Sequence, residues 1–304
     1  MGMSRRGWLL FSAMAVIWGI PYLLIRVAVR HLDNGVLVLG RTLPAAALLM
    51  PLVFWKRQVP ILLRNFAWIA IFGVVEFGVP WYLMATAEKR LTSSLTSLLI
   101  CAVPLFSVLA QRFSNTEGRI SARRYAGLGL GALGVALLVG LDLKGGSLTW
   151  IGLMMVVCVG YTLGPIILAT KLSHVPGIVV VAGASLVVGL CWIPWSTYHW
   201  PSHISSETLG CVAALSVVCT AGAFLTFFEL IKEVGATRAT VVPYVNTAIA
   251  VVLGVVGLHE PLTVGIIVGF PLVLIGSIFA TSSARRDNSS DFVIRSDSNL
   301  VINE

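Results

Sequence analysis

Glu76 is the side chain in this sequence whose type and setting most invite chemistry. It sits in GVVEFGVPWY, inside a long apolar run, with Pro80 one turn later. A carboxylate near the centre of a bilayer costs ~2.5–3.5 kcal/mol on insertion scales, so it persists where it pairs, lines a cavity or carries a proton. Arg41 lies in a second apolar run, about two turns from its outer end. At a rise of ~1.5 Å per residue the two fall at similar depth, so they could pair, and the sequence leaves open whether they do. Two readings stand side by side: a buried ion pair that fixes two helices, and a carboxylate that faces a solute or takes up a proton. Arg26 and Glu229 lie near the ends of their runs and can reach the interface. Glu117 and Glu260 follow apolar runs at short turns. There a carboxylate suits the start of the next helix, where it complements the dipole and caps free N–H groups.

Aromatic and hydroxyl side chains add candidates for solute contact. Trp18, Tyr22, Trp81, Tyr82, Tyr161 and Tyr244 sit inside apolar runs. Trp8, Trp55, Trp68 and Trp200 sit near run ends, where indoles anchor to the membrane interface. Thr92, Ser93, Thr96 and Ser97 form a polar stripe on one run, and Thr237, Thr240, Asn246 and Thr247 form another. Such stripes serve either a wet cavity or hydrogen bonding between helices. Pro21, Pro44, Pro80, Pro104, Pro165 and Pro243 interrupt the runs and free carbonyls that need partners. No HExxH, P-loop or GxSxG pattern is present, and all five histidines fall at run ends or in loops. No catalytic residue, metal site or cofactor is therefore expected, and without a nucleotide site a primary pump is not expected.

These residues are positioned by a membrane-embedded helical scaffold. The chain is 57% hydrophobic and 11% charged, far from the balance of a soluble domain. Apolar stretches of spanning length follow one another from end to end. Ten spans are predicted: 7–29, 35–55, 65–87, 92–113, 122–140, 147–169, 177–198, 207–230, 238–258 and 262–281. The first begins like a signal peptide, with Arg5, Arg6 and Ala13-Met14-Ala15. Its apolar run continues to Val29, so it is read as an uncleaved span. The five cysteines lie inside runs with no CxxC spacing and read as packing residues.

A shift of 143 residues places Ser94 on Thr237, Ser97 on Thr240, Glu117 on Glu260, Lys89 on Lys232 and Trp18 on Tyr161. Spans one to five thereby map onto spans six to ten. The predicted units are 1–145 and 146–286, followed by a disordered cytoplasmic tail, 287–304. Of the 21 Lys and Arg residues, Arg30, Lys89, Arg90 and Lys144 lie on one side, Arg26 and Arg41 lie within spans, and the remaining fifteen lie on the other side. The positive-inside rule makes that side cytoplasmic and puts both termini there. An odd number of spans per unit then inverts the second unit relative to the first. The net charge of +8 arises from these loop residues, so no nucleic-acid partner is expected. Gly127-x-x-x-Gly131 and Gly265-x-x-x-Gly269 on spans five and ten allow close packing, with each other or between protomers of a homodimer.

With WGIPYLL at Trp18 to Leu24, RTLPAAALL at Arg41 to Leu49, AVPLFSVLA around Pro104 and HEPLTVGIIVGFPLVLIG from His259 to Gly276, the chain resembles EamA-type transporters of the drug/metabolite transporter superfamily. The resemblance implies an all-α integral membrane fold of ten helices in two inverted five-helix repeats. It implies a central cavity between spans one to four and six to nine, with spans five and ten outside it. It further implies secondary transport, often export, of small metabolites or drug-like solutes in the cell membrane. Span nine departs from the family by carrying Asn246-Thr247 where a Pro-containing pair is common. The residues expected to contact solute are Trp18, Tyr22, Arg41, Glu76, Trp81, Tyr82, Thr96, Tyr161, Tyr244 and Asn246. Protons are a candidate coupling ion, and the protein is expected as a monomer or homodimer. The alternatives from other classes are an intramembrane enzyme acting on lipid and a channel.

Overall fold

The computed structural model describes residues 3–113, 122–142, 148–235 and 242–281. Glu117, Thr237, Thr240, Lys144, the unit boundary at 145 and the tail 287–304 lie outside the described residues. Every regular element among those described is helical. In chain order these are α1 (Arg5–Ala28), α2 (Asn34–Trp55), α3 (Val59–Arg64), α4 (Phe66–Gly73), α5 (Val79–Glu88), α6 (Ser93–Ile100), α7 (Val103–Phe113), α8 (Ala122–Asp142), α9 (Leu148–Lys171), α10 (Gly177–Tyr198), α11 (Ser206–Ser216), α12 (Ala223–Val234), α13 (Val242–Leu258) and α14 (Val264–Thr281). Two π-helical turns, Val74–Gly78 and Val217–Gly222, join α4 to α5 and α11 to α12.

Among the described residues, seven stretches are long and apolar enough to cross a membrane: Arg5–Ala28, Asn34–Trp55, Phe66–Glu88, Ser93–Ala110, Leu148–Lys171, Gly177–Tyr198 and Ser206–Val234. Tyr125–Leu138, Val242–Leu258 and Val264–Phe279 are apolar but shorter. The outer surface is apolar too: Leu9, Leu133, Val252 and Ile267 are each more than half exposed, as a lipid-facing wall requires.

Helix starts follow simple capping chemistry. Ser4, Asp33, Thr92 and Ser205 accept from the backbone N–H groups of Gly7, Gly35, Leu95 and Thr208. Each such cap satisfies a donor that the helix itself leaves free.

Packing between the two halves is nearly symmetric. The most extensive contacts are α8 with α14 and α2 with α10. These are the pairs that the 143-residue shift equates. Both run antiparallel: a Cβ at Gly134 would meet Gly269 and Val273, whereas one at Gly276 would meet Gly131 and Gly127. On α2, Gly35 lies against Trp192 and Trp195, while Leu43 lies against Gly189. The glycines of the fifth and tenth predicted spans therefore serve an internal contact. The π turns are related by the same shift, which carries Val74 onto Val217.

Three predicted spans are not continuous α-helices among the described residues, and the eighth is one of them, interrupted by the second π turn, Val217–Gly222. The third contains the π turn, and Pro80 sits just after it in the first turn of α5, where its missing N–H costs nothing. The fourth breaks at Cys101-Ala102 before Pro104. The freed carbonyl of Cys101 accepts from Ser277 Oγ on α14 at 3.0 Å. A buried carbonyl in apolar surroundings needs such a partner.

Candidate functional site

Arg41 is the centre of the densest polar and aromatic cluster inside the bundle. It is 7% exposed. Its guanidinium carbon lies 3.5 Å from the ring centroid of Trp81, a stacked cation–π contact. Its Nε donates to Thr220 Oγ1 at 3.1 Å, a hydroxyl held on the second π turn by its own bond to the Leu215 carbonyl. Trp81 stacks on Phe77 at 4.6 Å, and Phe77 also meets Phe224 at 5.7 Å. Trp18 packs on Phe224 and Phe227 at 6.0 and 4.8 Å. Tyr161 lies within hydrogen-bonding reach of Trp81, and Tyr161 and Tyr22 are the phenols nearest in charge to Arg41.

The pairing of Arg41 with Glu76, left open by the sequence, is not present. No ion pair joins them among the described residues, where the ion pairs are Arg6 with Glu229 and Glu233, and Lys232 with Glu229. Glu76 instead lies in the first π turn with its side chain against Gly164 of α9. Its Oε2 is buried and accepts no hydrogen bond. The physical reason is rotational. A π turn inserts an extra residue, and each residue swings the helix face by about 100°. Equal depth along two axes therefore does not bring the side chains face to face.

The remaining predicted residues divide. Tyr22, Trp81 and Tyr161 join Arg41, and Trp18 lies one aromatic layer away. Tyr82 turns outward and stacks on Trp192 at 4.8 Å. It lines a groove of about 720 Å³ with Val79, Leu83, Val188, Trp192 and Trp195, away from Arg41. Thr96 is fully buried and donates back to the Thr92 carbonyl. Asn246 is 7% exposed and accepts from Thr247 Oγ1 at 3.3 Å. Tyr244 is half-buried on α13. The hydroxyls of Thr96 and Ser97 both bond within their own helix, and the link between the fourth and ninth spans is Cys101 Sγ to Thr247 Oγ1 at 3.2 Å.

Glu260 does cap a helix, but not the one that follows it. Oε1 accepts from the Ser93 N–H at 2.7 Å, and Oε2 accepts from the Ser94 N–H at 3.0 Å. Both serine hydroxyls donate to it as well, at 3.1 and 2.7 Å. The capped helix is α6, 166 residues away in the chain. Gly254 makes room for this, because a Cβ there would collide with Glu260 and both serines. Arg26 donates to the Glu88 carbonyl.

Sequence reading missed Thr220, Phe77, Phe224 and Glu88. The repeat shift could have found Phe224, since it falls on Trp81. It also sets Thr220 against Phe77. Glu88 adjoins Lys89-Arg90 and was hidden by that charged run.

The match to known proteins accords with this geometry. The EamA-like transporter family matches residues 5–140 and 148–282. The chain belongs to that family. Its two matched segments are the two halves that pack symmetrically. Among its relatives is an uncharacterized transporter of Archaeoglobus fulgidus, 25% identical over 275 residues, covering 85% of this chain and 91% of that protein. A probable amino-acid metabolite efflux pump of Salmonella typhimurium is 26% identical over 197 residues, covering 63% and 62%. The uncharacterized inner membrane transporter YedA of Escherichia coli K12 is 23% identical over 250 residues, covering 80% and 79%. A solved crystal structure shares the fold at a TM-score of 0.64 and 20% identity, covering 90% of this chain and 96% of that one. This EamA chain is a multi-pass membrane transporter.

Proposed function

We propose that this EamA transporter is a secondary carrier that exports small organic solutes by alternating access. It works as ten spans in two inverted halves, 1–145 and 146–286, with both termini cytoplasmic. The antiparallel packing of α8 on α14 and of α2 on α10 supports the inversion. One observation carries the reading of the site: residues equivalent in the two halves converge on Arg41. Trp81 and Phe224 flank Phe77, Tyr161 is the counterpart of Trp18, and each half supplies a π turn. Symmetric walls meeting at a central side chain are what two halves rocking about a shared site require.

Arg41 is the anchor for the solute. Its face is covered by Trp81 and its Nε is taken by Thr220, which holds the guanidinium plane fixed. The two terminal nitrogens of a guanidinium in that pose match a carboxylate bidentately. Amino-acid-like solutes are therefore the first class to try, in keeping with the name of the Salmonella relative. The aromatic packing over Arg41 favours a carrier that must rearrange over an open channel.

Glu76 is the proposed proton carrier of the cycle. It lies in a π turn, one residue from the Phe77 that packs over the site, and its buried oxygen has no partner. The test is counterflow in proteoliposomes with a panel of radiolabelled amino acids. Saturable exchange is expected, and chemical turnover of a lipid or non-saturating flux would overturn the carrier. Glu76→Gln is expected to retain exchange while losing the pH dependence of net uptake. A folded Glu76→Gln protein with the wild-type pH profile rules out the coupling role.

A further inference from the structure

A second carboxylate, Glu88, is placed unlike any other among the described residues. It ends α5 and is 0% exposed. Neither of its carboxylate oxygens has a hydrogen-bond partner. Its main-chain carbonyl, by contrast, accepts from Arg26 Nη1 on α1. The guanidinium is thus beside the residue but spent on its backbone.

Three charged groups act on Glu88: Arg26 from α1, Glu260 from the turn before α14, and Arg41 from α2. Tyr22 on α1 faces it as well. Of the other elements packed on α5, α6 carries no ionisable side chain. The first π turn carries Glu76, three turns back along the same span. On α9, Gly160 meets Pro80 and Gly164 meets Glu76, so Tyr161 and Lys171 lie towards the far end of α5.

The contrast with Glu260 is chemical. Two backbone N–H groups and two hydroxyls donate to the Glu260 carboxylate. Glu88 has no donor, and the fixed negative charge of Glu260 acts on it. A buried charge without partners is costly, whereas the neutral acid is tolerated.

We propose that Glu88 is a proton-binding site that latches this end of the bundle through Arg26. With the proton on Glu88, Arg26 donates to the Glu88 carbonyl and α1 and α5 are held together. When the proton leaves to water, the new carboxylate competes for the same guanidinium. Arg26 moves from carbonyl to carboxylate, and the contact between α1 and α5 is reset. On the proposed orientation this end faces outward, so protons reach it from outside. Its place in a transport cycle rests on the carrier reading. The chemistry of the latch does not, and its test uses no solute.

The experiment is infrared difference spectroscopy of the full chain in lipid across a pH titration. A carboxylic-acid carbonyl band at neutral pH is expected in the wild type, and its Glu88 component should vanish in Glu88→Gln while any Glu76 component remains. Glu76→Gln should keep the Glu88 component. If Glu88→Gln does not fold, Glu88→Asp retains a carboxyl group and should shift the band instead. A spectrum unchanged by either Glu88 variant overturns the proton site. Movement is read by spin labels on Arg30→Cys and Arg90→Cys, both exposed, in a background lacking the native cysteines. The inter-label distance is expected to change over the pH range in which the band is lost, and to stay constant in Glu88→Gln. A constant distance in the wild type while the band titrates overturns the latch. Loss of solute exchange with both readouts intact would count against the carrier reading alone.

Discussion

Replacing Glu260 by Ala tests whether one carboxylate fastens the two halves together. In the structure it satisfies two backbone donors, Ser93 N–H and Ser94 N–H, that begin α6 and have no partner within their own helix. Ser93 and Ser94 are both 0% exposed, so water cannot substitute. Leaving a buried donor unsatisfied costs about 1–3 kcal/mol, which for two gives roughly 2–6 kcal/mol. The serine hydroxyls rotate and recover part of their loss, so about 3–4 kcal/mol is the working figure. Glu260→Gln keeps one accepting oxygen and should cost about half as much.

The assay is SDS-induced unfolding of the purified protein in mixed micelles. The control is Thr263→Ala, because Thr263 Oγ1 accepts from the Ile266 N–H and caps the adjacent α14 locally. A local cap of this kind is worth about 1 kcal/mol. Ser94→Ala combined with Glu260→Ala should show coupling of about 1 kcal/mol or more, because the two touch. If Glu260→Ala costs no more than Thr263→Ala, or if the pair is additive, the carboxylate does not fasten α6 and the reasoning is wrong.

Three further outcomes are expected. Gly134→Ala places a Cβ 2.6 Å from the Val273 nitrogen and should lower the unfolding midpoint by about 1–3 kcal/mol; Gly129→Ala, which meets nothing within 4 Å, should not. Arg41→Lys keeps the charge but loses the stacked plane and the bond to Thr220. It should weaken exchange of carboxylate solutes about tenfold or more, roughly 1.4 kcal/mol, with folding retained. Reporter fusions at Lys144 and at the C-terminus should report opposite sides of the membrane, and agreement between them would refute the inverted arrangement.

Much of the scaffold was legible because hydropathy and loop charge are carried by composition alone. The third span was expected at 65–87 and the structure gives Phe66–Glu88. The seventh was expected at 177–198 and the structure gives Gly177–Tyr198. Gly131 and Gly269 could be seen as packing positions because only small residues permit that approach, whereas Gly134 and Gly276, which lie in the same contact, were not singled out. The π turns were not legible. Each differs from an α-helix by one residue of backbone slack, and neither VVEFG nor VVCTAG carries a pattern that marks the change. The break at Cys101-Ala102 was foreshadowed only by Pro104.

Which side chains meet Arg41 was not legible in the sequence, for a reason that lies in the geometry of helices. Sequence gives depth, because rise per residue is fixed, but it gives azimuth only while the helix stays α. Arg41 and Glu76 looked alike in depth, yet Arg41 meets Trp81, five residues further along the span, and Glu76 lies in the π turn. Arg41 then meets an aromatic face and a hydroxyl instead of a carboxylate. The same limit explains Glu260. Its type announced a cap, but the choice of helix belonged to tertiary packing, which brought α6 to it across the pseudo-symmetric interface. Glu88 shows the converse. It stands next to Lys89 and Arg90, and only the fold buries it while leaving both of them exposed. Where a transporter holds its ionisable groups depends on a few such rotations, so small changes in helix register have large electrostatic consequences in this family's interior.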